Sequence, residues 1–250
     1  MTSFHSNWPL PPANLALSES DLHVWVASLN RPETERNQLW YYLADDEQDR
    51  ANRFYFERDR SHYIVARGLL RQLLATYLHV SAADIVFAYG EHGKPELAAA
   101  FAESGVQFNI SHAQGVALLA FARNREVGVD IEQIRPLDDA VQIAERFFSA
   151  GEVAVFTAVP DAQKPQAFFN CWTRKEAFIK VIGEGLSCPL DSFDVTLLPG
   201  EPARLLRVKG SEAAAARWTM HNLEAAVGYA GAVIIEGQAG QPGCWQAPSL

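Results

Sequence analysis

The pattern that most constrains this chain is a pair of long helical stretches, each set among short apolar runs. From Arg60 to Leu78, Ile64, Leu69, Leu70, Leu73, Leu74 and Tyr77 recur at helical spacing and form one apolar stripe. Pro165 to Ile182 reads as the second helix, opened by a proline and closed by Gly183 and Gly185. Before the first helix, Leu22–Leu29 predicts a strand and 33–57 two short helices. Strands are expected at Ile85–Tyr89, Val106–Ile110, Val116–Ala122 and Val127–Glu132. Ser149-Ala-Gly-Glu152 is a capping box that opens a further short helix. Strands near Phe193–Leu197, Ala203–Val208, Trp218–Leu223 and Val227–Ile235 complete the list, and the Gly-, Pro- and Gln-rich segment from 237 is expected to be loose. One long helix among antiparallel-looking strands, twice over, predicts an α+β fold of two similar halves, 1–126 and 127–250. Phe108-Asn-Ile-Ser-His and Trp218-Thr-Met-His-Asn echo each other faintly.

Bulk properties exclude several classes. The 250 residues are 48% hydrophobic and 20% charged, as expected of a packed globular protein. A net charge of −9 argues against a nucleic-acid partner. No apolar run approaches the roughly 18 residues of a membrane span, and the first residues lack a secretory pattern, so a cytoplasmic protein without a membrane partner is expected. Cys171, Cys188 and Cys244 form neither a disulfide framework nor a zinc pattern. P-loop, dinucleotide-binding, HExxH and nucleophile-elbow motifs are absent.

Four short segments carry chemistry. In Gly-Val-Asp-Ile-Glu, Asp130 and Glu132 share one face of a strand while Val129 and Ile131 take the other. Two interior acids need a cation, and oxygen ligands suit Mg2+; the alternative is a solvated strand edge. Glu176 and Lys180 share a helix face at i,i+4, a spacing that also suits an ordinary surface pair. Yet the chain has only five lysines; Lys175 and Lys180 both lie in this helix, and Lys94 lies in the stiff turn Gly93-Lys94-Pro95. Ser111 and His112 end an apolar strand, where they could hold a phosphate or form a turn. Between residues 50 and 71, six arginines face one Glu and one Asp, a local anion site or a solvated helix face.

In order and approximate spacing, Gly93-Lys94-Pro95, Phe108–His112, Gly128–Glu132 and Trp172–Lys180 with Gly185-Leu-Ser187 resemble the surfactin-synthetase-type phosphopantetheinyl transferases. The resemblance covers about residues 54–197. It implies a pseudo-dimer with coenzyme A in the cleft between the halves, and a monomer that holds a complete site. It implies Mg2+, replaceable by Mn2+, on Asp130, Glu132 and Glu176, with Lys175 and Lys180 on the phosphates. Lys94, Ser111 and His112 would hold the 3′-phosphoadenosine end, with an arginine from the first long helix; Arg60 and Arg67 are the candidates, not separable from Arg71. The implied reaction moves phosphopantetheine from coenzyme A to a serine of an apo carrier protein, releasing 3′,5′-ADP. Either Glu176 or a metal-bound hydroxide would take the serine proton. A coenzyme A-binding protein without turnover is the alternative from another class, and a Mg2+-dependent phosphohydrolase would leave the Gly-Lys-Pro and Ser-His segments unexplained.

Overall fold

The computed structural model describes residues 6–90, 93–183 and 188–249. Within them one order of elements occurs twice. The first half runs β1 (Leu22–Ser28), α1 (Glu33–Trp40), α2 (Asp45–Asn52), α3 (Glu57–Leu78), β2 (Phe87–Tyr89), β3 (Pro95–Leu97), β4 (Val106–Ala113) and β5 (Val116–Arg123). The second runs β6 (Val127–Gln133), α4 (Ala140–Phe147), α5 (Ala150–Ala158), α6 (Lys164–Ile182), β7 (Phe193–Val195) and β8 (Leu205–Val208). After the one-turn α7 (Glu212–Ala215) come β9 (Trp218–Asn222) and β10 (Tyr229–Glu236). The sheets match as well: β1-β5-β4 in one half and β6-β10-β9 in the other, every pair antiparallel. The two segments that echo each other in sequence fall on the equivalent strands β4 and β9.

Strand alternation builds the layers. Trp25, Ala27, Leu119 and Phe121 point toward the stripe of α3 and bury Ile64, Leu69, Leu70 and Leu74 with it. The intervening Val24, Val26, Leu118 and Ala120 point the other way and meet Val127, Val129, Ile131, Val233 and Ile235 of the second sheet. On its far side that sheet covers Phe178, Ile179 and Val181 of α6 with Ala230, Ala232 and Ile234. The order of layers is therefore helix, sheet, sheet, helix, and the two halves share an apolar interface.

Two expectations from sequence are revised. The short helix α4 was not foreseen. The segment after 237, expected to be loose, forms β11 (Gly243–Gln246) and pairs in parallel with His23–Val26 of β1. An open edge on the buried β1 would leave backbone groups unpaired, and β11 satisfies them. Trp245 packs against Trp25 and His23, and the Gln246 side-chain amide donates to the Trp8 carbonyl at 2.6 Å. The last strand of the chain thus belongs to the sheet of the first half.

Gly128 determines how close α6 comes to β6. A methyl group there would collide with the Ala177 carbonyl oxygen and press on Val181. The helix ends at Gly183, whose φ of 72° is left-handed. Gly185 and Ser187 lie outside the described residues.

Candidate active site

β4 and β6 are the edge strands of their sheets, and α6 packs closely on β6. This seam brings Ser111 of β4 to Asp130 of β6 and Lys180 of α6. The Lys180 ammonium lies 2.7 Å from both the Ser111 hydroxyl and Asp130 Oδ1, and Ser111 donates to the same carboxylate oxygen at 2.7 Å. Asp130 is buried, and its other oxygen, Oδ2, has no hydrogen-bond partner among the described residues. Val129 and Ile131 sit in the core between the sheets, so Asp130 and Glu132 share the opposite face, as the spacing predicts.

The acids destabilise one another's charge. Burial, and then the neighbouring Asp130, push Glu132 up to about 7. Burial and Asp130 also raise Glu176, while Lys180 opposes them. Among the described residues no group of three or more ligands stands ready to hold a metal. The donor set still suits a hard divalent cation. Asp130 offers an unpartnered buried oxygen, and Mg2+ takes one or two carboxylates and completes its shell with phosphate oxygens and water.

Two hollows open at this seam. One of about 280 Å³ is lined by Lys94, Pro95, Phe108, Ile110, Ile179 and the pair Glu176 and Lys180. The other, about 1090 Å³, is lined by Asn30, Arg50, Arg58, His62, His112 and Glu132. The three residues expected at the 3′-phosphoadenosine end are thus spread out. Lys94 faces the smaller hollow, 3.6 Å from Glu126. Ser111 is held between Asp130 and Lys180, and His112 opens on the larger hollow. Crowding around the His112 ring, and then the Lys180 charge, lower its pKa.

The structure also redistributes the cations. Lys175 is fully buried, 2.7 Å from Glu152 and from the carbonyls of Leu190 and Phe193. An ammonium has three N–H donors, and all three are used, so the expectation that Lys175 meets phosphate is corrected. Arg71 is buried against Glu47 at 2.6 Å and donates to the Ala82 and Ile85 carbonyls. Arg67 pairs with Glu47 at 2.9 Å and donates to the Tyr89 hydroxyl at 2.8 Å. Arg60 lies over the Trp40 ring and 3.7 Å from Glu57. None of the three lines either hollow; Arg50 and Arg58 line the larger one, with His62 held by Asn30 at 3.0 Å. The arginine surplus between 50 and 71 was the available signal for Arg50 and Arg58, but periodicity alone did not single them out.

Known proteins of one family resemble this chain along nearly its whole length. The 4′-phosphopantetheinyl transferase superfamily profile matches residues 126–234, and the profile described as 4′-phosphopantetheinyl transferase, N-terminal, matches 30–124. The 4′-phosphopantetheinyl transferase HetI of Nostoc sp. is 39% identical over 96% of this chain and 98% of its own length. The chain belongs to the 4′-phosphopantetheinyl transferase family. The 4′-phosphopantetheinyl transferase Sfp of Bacillus subtilis is 32% identical over 70% of this chain and 77% of its own. AcpT of Salmonella typhimurium, another 4′-phosphopantetheinyl transferase, is 36% identical over 55% and 66%. The protein is accordingly an enzyme, a transferase of Sfp type, and its two profile matches meet where β5 gives way to β6.

Proposed function

We propose that this transferase moves 4′-phosphopantetheine from coenzyme A to the serine hydroxyl of an apo acyl, aryl or peptidyl carrier protein, releasing 3′,5′-ADP. The observation that carries the reading is the buried, unpartnered Asp130 oxygen beside Glu132, Glu176, Ser111 and Lys180. The diphosphate of coenzyme A lies across this seam, with its two ends running toward the two hollows. The first half offers the Arg50 and Arg58 charges, with the His62 and His112 rings as hydrogen-bonding groups, for the 3′-phosphoadenosine end. The second half, with Asp130, Glu132, Glu176 and Lys180, handles the diphosphate.

Asp130, Glu132 and Glu176 would hold Mg2+ or Mn2+, which when bound neutralises charge developing on the diphosphate. Lys180 meets a non-bridging phosphate oxygen, moving from Asp130 to the phosphate as the substrate arrives. Ser111 stays bonded to Asp130 and keeps its carboxylate aimed into the seam. Glu176, whose pKa is raised by burial, takes the proton of the carrier serine as that oxygen attacks the β-phosphorus. The bond from that phosphorus to the ADP oxygen breaks, and Lys180 offsets the charge left on the departing phosphate. One chain holds every group named, so a single copy suffices for the reaction.

The test mixes the protein with an apo carrier, coenzyme A and Mg2+ and weighs the carrier. It should gain one phosphopantetheine on serine, and chelator should stop the reaction. Coenzyme A bound without any mass gain across a panel of carriers would favour a binding protein instead.

A further inference from the structure

Where β4 meets β6, two sheet edges run together without a hydrogen-bonded ladder. Side chains make the joint instead. Asn109 and Ser111 lie two apart on β4, so they share a face while Phe108 and Ile110 pack on the core of the first half. Ser111 reaches Asp130, and Asn109 reaches the residue before it: its side-chain oxygen accepts the Val129 backbone N–H at 3.0 Å, both groups buried. Val129 itself is locked by its side chain into the core between the sheets.

We infer that Asn109 is a positioning residue, which stands in for the missing ladder bond and fixes the Gly128–Val129 peptide, the backbone leading into Asp130, so that the Asp130 carboxylate stays aimed at the seam. This rests on the reading of Asp130 as the metal- and phosphate-side acid. Without the Asn109 oxygen, the Val129 N–H is a buried donor at a sheet edge, and the strand must shift to recover a partner. Ser111 can hold the Asp130 side chain but not its backbone. An aspartate at 109 keeps the acceptor, and a serine is too short to reach.

The test compares wild type, Asn109→Ala and Asn109→Asp. Hydrogen exchange at the Val129 amide is measured in the metal-free protein, Mn2+ binding is followed by electron paramagnetic resonance with coenzyme A present, and the Mg2+ dependence of turnover is recorded. Asn109→Ala should release the Val129 amide to exchange and weaken the metal by about 10- to 100-fold, the usual effect of losing a residue that orients a ligand. Asn109→Asp should restore the amide's protection. If Asn109→Ala does not fold, Asn109→Ser replaces it in the same comparison. A Val129 amide that exchanges as in wild type, or a released amide with unchanged metal affinity, overturns the inference. A wild type indifferent to Mg2+ overturns the metal reading alone, and the exchange data then decide the place of Asn109.

Discussion

Replacing Lys175 by Met separates the architecture from the chemistry. Its ammonium is shared between Glu152 and the carbonyls of Leu190 and Phe193, each at 2.7 Å. After the change Glu152 keeps two backbone donors, Ser149 N at 2.8 Å and Val195 N at 2.7 Å, but loses its counter-charge while still buried. The two carbonyls lose their donor as well. Removing one partner of a buried pair typically costs about 3–5 kcal/mol. At about 2–4 °C per kcal/mol for a chain near this size, Tm should fall by roughly 6–20 °C. Turnover per folded molecule, measured well below the transition, should stay within about threefold of wild type, because the side chain has no donor left for substrate. Adding Glu152→Gln removes the stranded charge and should recover part of the loss. Urea unfolding and carrier mass gain, normalised to folded protein, are the two assays. A Lys175→Met protein of normal stability whose turnover drops by orders of magnitude would refute the reasoning and return Lys175 to the phosphates.

Glu176→Gln and Asp130→Asn should each lower turnover by orders of magnitude while the protein stays folded, whereas a mere helix-surface pair at 176 and 180 would shift stability by only about 0.3 kcal/mol; steady-state rates and thermal melts separate the two. His112→Ala should weaken coenzyme A by about one to two decades more than it weakens the 3′-dephospho analogue; calorimetry with both ligands reads this, and equal losses would place His112 elsewhere. In chelator, Glu132 adds a pH trend. Its folded pKa of about 7 lies above the ordinary 4.5, so its contribution is full below pH 4.5 and lost as pH rises through 7. Because Glu132 is only half-buried, solvent screening reduces the effect, and stability should fall by about 1–2 kcal/mol over that window. Urea titrations should show the trend flattened in Glu132→Gln.

Legibility in the sequence followed the strength of local geometry. A strand's two-residue period placed Asp130 and Glu132 on one face with Val129 and Ile131 opposite, and a helix's four-residue spacing joined Glu176 to Lys180. The long helices and the strand order were readable because the apolar stripes of 64–77 and the Val-rich runs are long and regular. β11 was not, since Gly, Pro and Gln mask a segment whose partner, β1, lies more than two hundred residues away. The same limit hid the fate of Lys175, whose neighbours on its own helix say nothing about Glu152. Glu47 likewise claims Arg67 and Arg71 from another helix, leaving Arg50 and Arg58 open to the larger hollow. Asn109 was visible as part of Phe-Asn-Ile-Ser-His, but its bond to Val129 exists only once the two sheet edges meet.

Catalysis at the seam depends on where the metal and the diphosphate lie. Crystals grown with Mn2+ and coenzyme A, measured for anomalous scattering, test this most directly. The predicted result is one strong metal peak between the carboxylates of Asp130, Glu132 and Glu176, touching the diphosphate, with the Lys180 ammonium moved from Asp130 to a phosphate oxygen. A peak away from these acids, or coenzyme A bound with Lys180 still on Asp130 and no metal in the seam, would contradict it.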